Sequence, residues 1–400
     1  MTRHVVTLNA GSSSIKFALF TLQDGAPHLE VSGLAEMLAD QRRLTVRNAA
    51  QTTIHREDWS AGSGVPFHAN ALQRILAWQQ QAFPEVRVAA AGHRVVHGGL
   101  HFTAPVIVDV AVMAALTALI PLAPLHQPHN LAGIQAAQAA WPGIPQIACF
   151  DTAFHRAHPF VNDVFALPRR YYDEGVRRYG FHGLSYEYVI GRLREIAPHH
   201  AAGRVVVAHL GNGASMCAIR DGQSIASSMG FTALDGLPMG TRCGQLDPGV
   251  VLYLLQEKKL DAGQISDLLY RQSGLLGLSG VSHDMRELEA SPARGAQEAI
   301  AYFVFRVRRE LGGLAAVLKG IDAMVFCGGI GEHSWRVREG VLDGMEWIGI
   351  ELDRFANRDN AQVISSDRSR VRVFVIPTDE EAMIARHAVT ALAKDGVPAS

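Results

Sequence analysis

Two segments of this chain repeat one pattern, in which an apolar run, a turn of small residues and a second apolar run follow each other. They are residues 5–20 (VVTLNAGSSSIKFALF) and residues 205–219 (VVVAHLGNGASMCAI). Each predicts a β-hairpin in which the small turn residues let several backbone N–H groups approach and bind an anion. A second pair, residues 88–99 and 324–332, repeats an apolar strand that enters a turn rich in Gly or His. We therefore expect two similar domains, with a coincidence of common turn types as the alternative.

The composition excludes several classes of function. The chain has 37 basic and 38 acidic residues and a net charge of −1, with no dense Lys/Arg run, so a nucleic-acid partner is not expected. The apolar run at 110–125 is too short for a membrane span and contains two prolines, so we expect a buried helix followed by a loop there. Four scattered cysteines without a CxxC pair indicate neither a disulfide framework nor a thiolate metal site. A cytoplasmic protein without a membrane partner is expected.

Strand-like and helical patterns alternate along the chain, which predicts an α/β fold. The segment around residues 149–168 is the best candidate for a domain boundary. Strands are predicted at 4–8, 15–20, 86–91, 144–149, 204–209, 214–219, 323–327 and 371–376. Helices are predicted at 67–83, 109–120, 129–140, 184–197, 248–257, 296–319 and 379–394.

The first hairpin suits phosphate, because Lys16 adds a positive charge beside its serine-rich turn. It is not a Walker loop, since GxxxxGK[ST] is absent from the sequence. A plain serine turn is the alternative here, just as an ordinary Asn-Gly hairpin is the alternative for the second segment.

Further candidate residues follow predicted strands or lie in glycine-rich turns. Arg94 lies between two histidines before paired glycines, and its guanidinium could bind a carboxylate or phosphate in bidentate fashion. Asp151 ends a strand, where ligands bind in α/β folds, although a helix N-cap is the alternative. His182 lies beside glycines, and the segment HGLSY around it lacks the spacing of a zinc site.

Three more segments belong to the same group. A loop rich in Gly and hydroxyl groups ends with Arg242 and is typical of a substrate loop. The glycines of residues 328–332 could admit a nucleotide against the backbone, with a generic strand-to-helix turn as the alternative. Asp379 and Glu380 could hold magnesium, or they could be ordinary residues of a helix's first turn. Together these groups match phosphoryl transfer, which requires charge neutralisation and alignment.

Eight blocks of the sequence resemble the acetate kinase family, in family order and over essentially all 400 residues. They are NAGSSSIKF, HRVVHGG, CFDTAFH, RRYGFHGLSYEYV, HLGNGAS, SSMGFT with MGTRCG, GGIGE and IPTDEE. The resemblance implies two ribonuclease-H-like domains of the actin, Hsp70 and sugar-kinase superfamily, facing each other across a nucleotide cleft. We expect an N-terminal domain at 1–150, completed by a C-terminal helix at 381–400, and a nucleotide-binding domain at 151–380.

The resemblance also implies a reaction, in which ATP and acetate form ADP and acetyl phosphate reversibly by in-line transfer. Mg²⁺ is the expected cofactor, with Mn²⁺ as an alternative, and a homodimer is expected. Within this class the alternative is a propionate kinase acting on another short-chain carboxylate. From another class, the alternative is an actin-like or Hsp70-like ATPase module, although a pair of arginines with His182 speaks against it.

The family's functional residues carry over onto matching positions of this chain. Asn9 and Glu380 resemble the magnesium site, and Ser12, Ser14 and Lys16 resemble a turn beside the phosphates. Arg94 and Arg242 resemble the pair that binds the carboxylate and the phosphoryl group in transit, and His182 resembles the residue that stabilises the transferring phosphoryl group. Asp151 resembles the acidic catalytic residue, for which we favour an orienting role that holds an arginine. The implied acyl pocket comprises Val96, Leu125, Phe181 and Ala233. The implied ATP contacts are Lys16, His209, Leu210, Gly211, Asn212, Gly213, Asp284, Met285, Arg286, Gly328, Gly329, Ile330, Gly331 and Glu332.

Four positions depart from the family pattern without removing a charged catalytic group. Ala233 stands where proline is usual, Cys243 where serine is usual and Gln245 where aspartate is usual. Asp379 replaces the asparagine that usually precedes Glu380. Ala233 leaves the limit on acyl-chain length open.

Overall fold

A computed structural model describes residues 3–11, 13–38, 41–60 and 67–394 of the chain. The chain forms two compact units, one from Met1–Ala153 together with Asp379–Ser400 and the other from Phe154–Thr378. The first unit is therefore built from two separate stretches of sequence, whereas the second is continuous.

The described residues contain thirteen strands, which form one sheet in each unit. They are β1 Arg3–Ala10, β2 Ser14–Gln23, β3 Ala26–Leu38, β4 Gln41–Asn48, β5 Thr53–Ser60, β6 Arg87–Val95, β7 Val106–Ile107, β8 Gln146–Phe150, β9 Arg204–Leu210, β10 Ala214–Arg220, β11 Gln223–Ser227, β12 Ala323–Cys327 and β13 Arg372–Val375.

Sixteen α-helices lie in the same described part of the chain. They are α1 Phe67–Ala82, α2 Val110–Ala118, α3 Gln127–Ala140, α4 Phe160–Asp163, α5 Arg169–Asp173, α6 Gly183–Ile196, α7 Pro198–Ala201, α8 Pro248–Gln256, α9 Ala262–Arg271, α10 Gly274–Ser279, α11 Met285–Ala290, α12 Arg294–Leu318, α13 Gly328–His333, α14 Trp335–Leu342, α15 Arg354–Arg358 and α16 Glu380–Lys394. Short 3₁₀ helices occur at Ile120–Leu122, Ala153–His155 and Glu346–Ile348.

Both sheets share one central arrangement. The first has the order β5-β4-β3-β2-β1-β6-β8-β7, and the second has the order β11-β10-β9-β12-β13. In each, the first three strands of the unit are antiparallel neighbours. On the other side of the first strand, two strands run parallel to it, β6 and β8 in the first unit and β12 and β13 in the second. The predicted α/β class is confirmed, and both repeated segments of the sequence form equivalent parts of the two sheets.

The predicted strands are present, but β3, β4, β5, β7 and β11 were not predicted. β3, β4 and β5 are partly exposed and rich in charged side chains, so they lack the apolar runs that mark the central strands. Among the helices of eight or more residues, α9 and α14 were missed. The seven shorter helices α4, α5, α7, α10, α11, α13 and α15 were not predicted either.

Alternating side chains divide each sheet into two covered faces. In the first unit, Leu8 of β1 packs in a core with Leu72 and Ile75 of α1, so the intervening residues of β1 face the other side. That other side is covered by α16, because a Cβ added at Gly92 of β6 would lie 2.6 Å from Ile384. Because side chains alternate along a strand, Asn9 of β1 and Arg94 of β6 lie on the α16 side of the sheet.

The second unit repeats this layout with α6 as the covering helix. Val205 and Val207 of β9 pack with Val189 and Leu193 of α6 in one buried core. Cys217 of β10 belongs to the same core, so Ser215, two residues earlier, shares that face.

The helix predicted at 109–120 is present as α2, but the expectation that it is buried was wrong. Helix α2 occupies this region, but Leu116 is its one buried side chain, and Val110 is 89% exposed. Apolar content therefore did not indicate burial here, because nearly every position is apolar and the helix has no polar face to orient it. None of the helices in the described ranges is both long enough and apolar enough to span a bilayer.

The buried imidazole of His93 makes stability depend on pH. Burial lowers its pKa from 6.5 to about 4, although a hydrogen bond to Gln146 at 2.7 Å opposes the shift. His93 stays neutral in the folded protein while the unfolded chain takes up a proton below about pH 6.5, so stability is lost as the pH falls toward 4. We expect the free energy of unfolding, measured with urea, to fall with decreasing pH by up to about 1.4 kcal/mol more per pH unit in the parent than in His93→Gln over this window.

The exposed His199 provides the control for this prediction. His199→Gln should follow the parent curve between pH 7 and pH 4.5. Parallel curves for the parent and His93→Gln would show that His93 does not contribute to the pH dependence.

Candidate active site

In the first unit, an ion pair between Arg94 and Asp151 lies where parallel strands end. Arg94 is the next-to-last residue of β6, and Asp151 directly follows β8. The Nε atom of Arg94 lies 3.1 Å from both carboxylate oxygens of Asp151, and an Nη atom lies 2.6 Å from Oδ2. Asp151 is 1% exposed, and the Arg94 side chain keeps 21% of its surface open. A buried carboxylate therefore fixes an accessible guanidinium.

Asn9 and Glu380 lie next to this pair. Arg94 Nη1 donates to Asn9 Oδ1 at 3.4 Å, and its Nε is 3.6 Å from Glu380 Oε2. Asp379 has a different role, because its carboxylate accepts the backbone N–H of Ala382 at 2.8 Å and so satisfies a free donor of α16. The two carboxylates predicted as a pair thus separate, one at the helix end and one beside Arg94.

Charge accumulates at this edge of the sheet. Burial disfavours the charge of Arg94, but Asp151 and Glu380 outweigh that effect, and its pKa is raised. Burial raises the pKa of Asp151 while its contacts with Arg94 oppose the rise. Burial and the neighbouring Glu380 also raise the pKa of Glu381, which Lys16 opposes. Four carboxylates, those of Asp151, Asp379, Glu380 and Glu381, therefore lie near the two cations Arg94 and Lys16, and the excess negative potential would favour a bound divalent cation.

Lys16 lies on β2 opposite Asn9 in the antiparallel register, and its side chain is exposed while both sequence neighbours are buried. The turn closes through the N–H of Gly11, which donates to the carbonyl of Ser14 at 2.8 Å. Ser12 lies outside the described residues.

Two amide side chains of α3 position these segments, and the sequence reasoning did not identify them. Asn130 accepts the N–H of Val96 at 3.0 Å and donates to the carbonyl of Ala10 at 2.8 Å. Gln127 accepts the N–H of His97 at 3.2 Å and donates to its carbonyl at 3.0 Å. Both amides lie in the first turn of α3, on its buried face. A polar residue on the buried face of a helix was the sequence signal that could have identified them. Of the predicted acyl-pocket residues in this unit, Val96 is buried and Leu125 is half-buried.

In the second unit, His182 lies directly before α6 with a left-handed backbone at φ 57°. Non-glycine residues rarely adopt this conformation, and where they do the surrounding structure enforces it. Its Nδ1 lies 2.8 Å from Ser215 Oγ, and its ring stacks on His209 with centroids 4.4 Å apart. His209 Nδ1 in turn lies 2.8 Å from Ser185 Oγ. The structure therefore joins two predicted site histidines in one stack.

A cavity of about 480 Å³ in the second unit contains half of the predicted ATP residues. This volume is typical of a small-ligand site. Four further residues, His283, Glu289, His333 and Ser334, also line it and were not predicted. The predicted residues in its lining are Gly211, Asn212, Asp284, Met285, Arg286, Gly329 and Ile330.

Asp284 has a defined local role at the cavity, where it caps α11 by accepting the N–H of Arg286 at 2.8 Å. A side-chain hydrogen bond from Arg286 lowers the pKa of Asp284 to about 2. The aspartate is therefore ionised and paired with a highly exposed arginine.

The remaining predicted ATP residues of this unit adjoin the cavity along the chain and are not part of its lining within the described structure. They are His209, Leu210, Gly213, Gly328, Gly331 and Glu332. Glu332 organises the loop, because one carboxylate oxygen accepts the N–H of Gly328 at 2.8 Å and that of Thr378 at 3.1 Å. Gly328 has φ +74°, and an added Cβ would lie 2.8 Å from the Leu210 carbonyl, so this close turn requires glycine.

Arg242 and Ala233 are brought together, since Arg242 Nη1 donates to the Ala233 carbonyl at 3.0 Å. The loop that carries Arg242 also contacts the hairpin, and the N–H of Gly240 donates to the Asn212 carbonyl at 3.1 Å. Phe181, the other acyl-pocket candidate of this unit, is buried. Among the residues with described positions, no group of three or more His, Cys, Asp or Glu side chains is placed to hold a metal ion.

Comparison with known proteins decides the family. The profile of the acetokinase family matches residues 4–386 of this chain. The chain belongs to the acetokinase family. A relative named acetate kinase from Methylocella silvestris is 72% identical over 398 residues, covering 98% of each chain. The acetate kinase of Rhodopseudomonas palustris strain CGA009 is 54% identical over 97% of this chain and 98% of its own.

Solved structures of this family share the fold. The acetate kinase of Porphyromonas gingivalis has a TM-score of 0.87 at 37% identity, covering 98% of this chain and 100% of its own. A propionate kinase from Francisella tularensis has a TM-score of 0.89 at 34% identity, covering 97% and 99%. The predicted family and the two-domain fold of actin-like kinases are thereby confirmed.

Proposed function

We propose that this protein transfers the terminal phosphoryl group of ATP to acetate, reversibly and with magnesium, to form ADP and acetyl phosphate. The observation that carries the proposal is an acetokinase-family chain in which buried Asp151 holds Arg94 beside Asn9 and Glu380. An ATPase that drives a partner protein would not need such an arginine as a carboxylate site. The units Met1–Ala153 with Asp379–Ser400 and Phe154–Thr378 are proposed to be the two domains of this kinase.

Arg94 is proposed to bind the carboxylate of acetate or an oxygen of the phosphoryl group. The contacts support an orienting role for Asp151, because both of its oxygens contact Arg94 and its side chain is buried. Acetate is already ionised at neutral pH and needs no general base. Preorganised donors of this kind stabilise developing charge without further rearrangement, which is the main requirement of phosphoryl transfer.

In the second unit, His182 and Arg242 are proposed to stabilise the transferring phosphoryl group. The cavity between the segments at 211–212, 284–286 and 329–330 is proposed to hold the nucleoside part of ATP, and Lys16 of the first unit is proposed to assist the phosphates. The flanking glycines let the backbone approach the nucleotide closely.

The residues of the first unit fit a magnesium ion. Asn9 and Glu380 offer hard oxygen ligands, and the excess of carboxylates around Arg94 supplies negative potential. Magnesium usually keeps several waters and phosphate oxygens as ligands, so two protein side chains suffice. When bound, the ion would neutralise charge on the phosphates, and Mn²⁺ could replace it.

Propionate is the second candidate substrate, supported by the similarity to the Francisella propionate kinase. The proposed acyl pocket of Val96, Leu125, Phe181 and Ala233 would discriminate by size. One methylene group in an apolar pocket is worth about 1–3 kcal/mol, so both acids could react at different rates.

Acyl phosphate formation tests this proposal directly. Purified protein with ATP, Mg²⁺ and hydroxylamine, which converts an acyl phosphate to a hydroxamate and phosphate, should give most hydroxamate with acetate, less with propionate and least with butyrate. ATP hydrolysis without any added acid should be negligible by comparison. Equal ATP turnover with and without acetate would instead support the ATPase module.

Replacement of either arginine tests the transition-state role. Arg94→Ala and Arg242→Ala should each lower kcat/KM for acetate by about 10²-fold or more, because each removes charge from the transition state. Lysine should restore little, since it cannot form the planar bidentate contact. Arg169→Ala, which removes a highly exposed arginine, is the control and should match the parent. Near-parent rates in both folded alanine variants would refute the assignment.

Magnesium titration separates the two interpretations of Glu380. Glu380→Gln keeps the size of the side chain but removes its charge, so the Mg²⁺ concentration for half-maximal rate should rise by about ten-fold, a change of about 1.4 kcal/mol. Asp379→Asn, which preserves a capping side chain, should leave the titration unchanged. If both variants titrate like the parent, Glu380 is only a first-turn residue of α16.

A homodimer and a cytoplasmic location remain proposals. Helix α8 supports an interface, because it exposes the apolar side chains of Val250, Leu252, Tyr253 and Leu255.

A further inference from the structure

A chain of three side chains ends at His182 in the second unit. The Tyr186 hydroxyl lies 2.5 Å from Ser215 Oγ, which lies 2.8 Å from His182 Nδ1. Tyr186 and Ser215 are both 0% exposed. Within the described structure, Ser215 is the hydrogen-bond partner of the tyrosine hydroxyl, so the direction of each hydrogen bond can be worked out from the available protons.

The tyrosine fixes the first direction. Burial raises its pKa well above the ordinary value, so Tyr186 keeps its proton, and a buried O–H needs an acceptor. Its acceptor is Ser215 Oγ. The serine has one hydrogen of its own, and that hydrogen cannot also point at the tyrosine. A buried serine hydrogen also needs an acceptor, and Nδ1 of His182 lies within hydrogen-bond distance, so we assign this hydrogen to Nδ1, which is then the unprotonated nitrogen.

We propose that Tyr186 and Ser215 are positioning residues that hold His182 as its neutral Nε2–H tautomer, which donates a hydrogen bond to the transferring phosphoryl group. The proposal rests on the proposed function for its last clause. Neither residue contacts the reacting atoms, since both act through the imidazole. A fixed tautomer is a general requirement for a histidine that must present a donor, because its second nitrogen decides which proton is available.

The surroundings of the ring support this orientation. His209 stacks on one face at 4.4 Å, which limits tilting of the imidazole. A Cβ added at Gly213 would lie 3.2 Å from Nε2, so this edge of the ring lies against a residue without a side chain. The left-handed backbone of His182 sets the direction from which the ring enters.

Nitrogen NMR of ¹⁵N-histidine-labelled full-length protein measures the tautomer. The signals of His182 are those that vanish in His182→Gln. The parent should show protonated Nε2 and unprotonated Nδ1, with or without ADP, Mg²⁺ and acetate. Tyr186→Phe and Ser215→Ala should each increase the Nδ1–H form. A parent with protonated Nδ1, or tautomers that do not change in either variant, would overturn the proposal.

Kinetics of the same variants give an independent result. Each single substitution should lower kcat by about ten-fold, less than the complete loss of a transition-state donor, and leave both KM values within about two-fold. Because Tyr186 acts only through Ser215, the double variant should be no slower than Ser215→Ala. Additive losses in kcat for the two substitutions would contradict the proposal that Tyr186 acts on His182 through Ser215.

Tyr188→Phe is the matched control, since Tyr188 lies on the same helix and packs against the same core. It should change neither the tautomer nor kcat. The outcome also separates the two proposals. A parent without acetate-dependent product would refute the kinase function, whereas its NMR spectrum would still decide the tautomer of His182.

Discussion

The contact between Arg94 and Asp151 is the interaction on which the rest of the candidate site depends. The parallel strands β6 and β8 bring the two residues to one edge of the sheet. Because the carboxylate of Asp151 is buried away from water, the guanidinium of Arg94 is what compensates its charge. Removing the charge of Arg94 would leave the carboxylate of Asp151 buried without its hydrogen-bond partner, which is far more costly than losing an exposed pair. Arg94 is therefore presented in one orientation, and Asn9 and Glu380 are arranged around it.

The second unit has an equivalent arrangement built from imidazole and hydroxyl groups. In the second unit, His182 at the start of α6 stacks on His209 of β9. In the first unit, Glu380 at the start of α16 and Asn9 of β1 are joined through Arg94, which contacts both. One sheet order thus places an arginine with carboxylate and amide oxygens in one unit and an imidazole network in the other.

Sequence patterns predicted the central strands, the main helices and the residues that carry charge, because periodic apolar runs and glycine turns are local signals. They did not predict β3 to β5, whose partly exposed residues show little alternation, or the exposure of α2. Asn130, Ser215 and Tyr186 were also missed. Each acts through one or two hydrogen bonds to residues distant in sequence, and such pairings become visible only once the strands and helices are packed.

The division of the first unit into two stretches has a consequence for synthesis on the ribosome. Its sheet is complete by Phe150, but the face with Gly92 is covered by α16, whose Ile384 and Ala388 are fully buried. Until those last residues emerge, that apolar face lacks its cover. The continuous stretch Phe154–Thr378 has no such dependence and can fold as it is made. The unit that is translated first is therefore the last to be completed, and a truncation just before Glu380 would impair the N-terminal half of the chain.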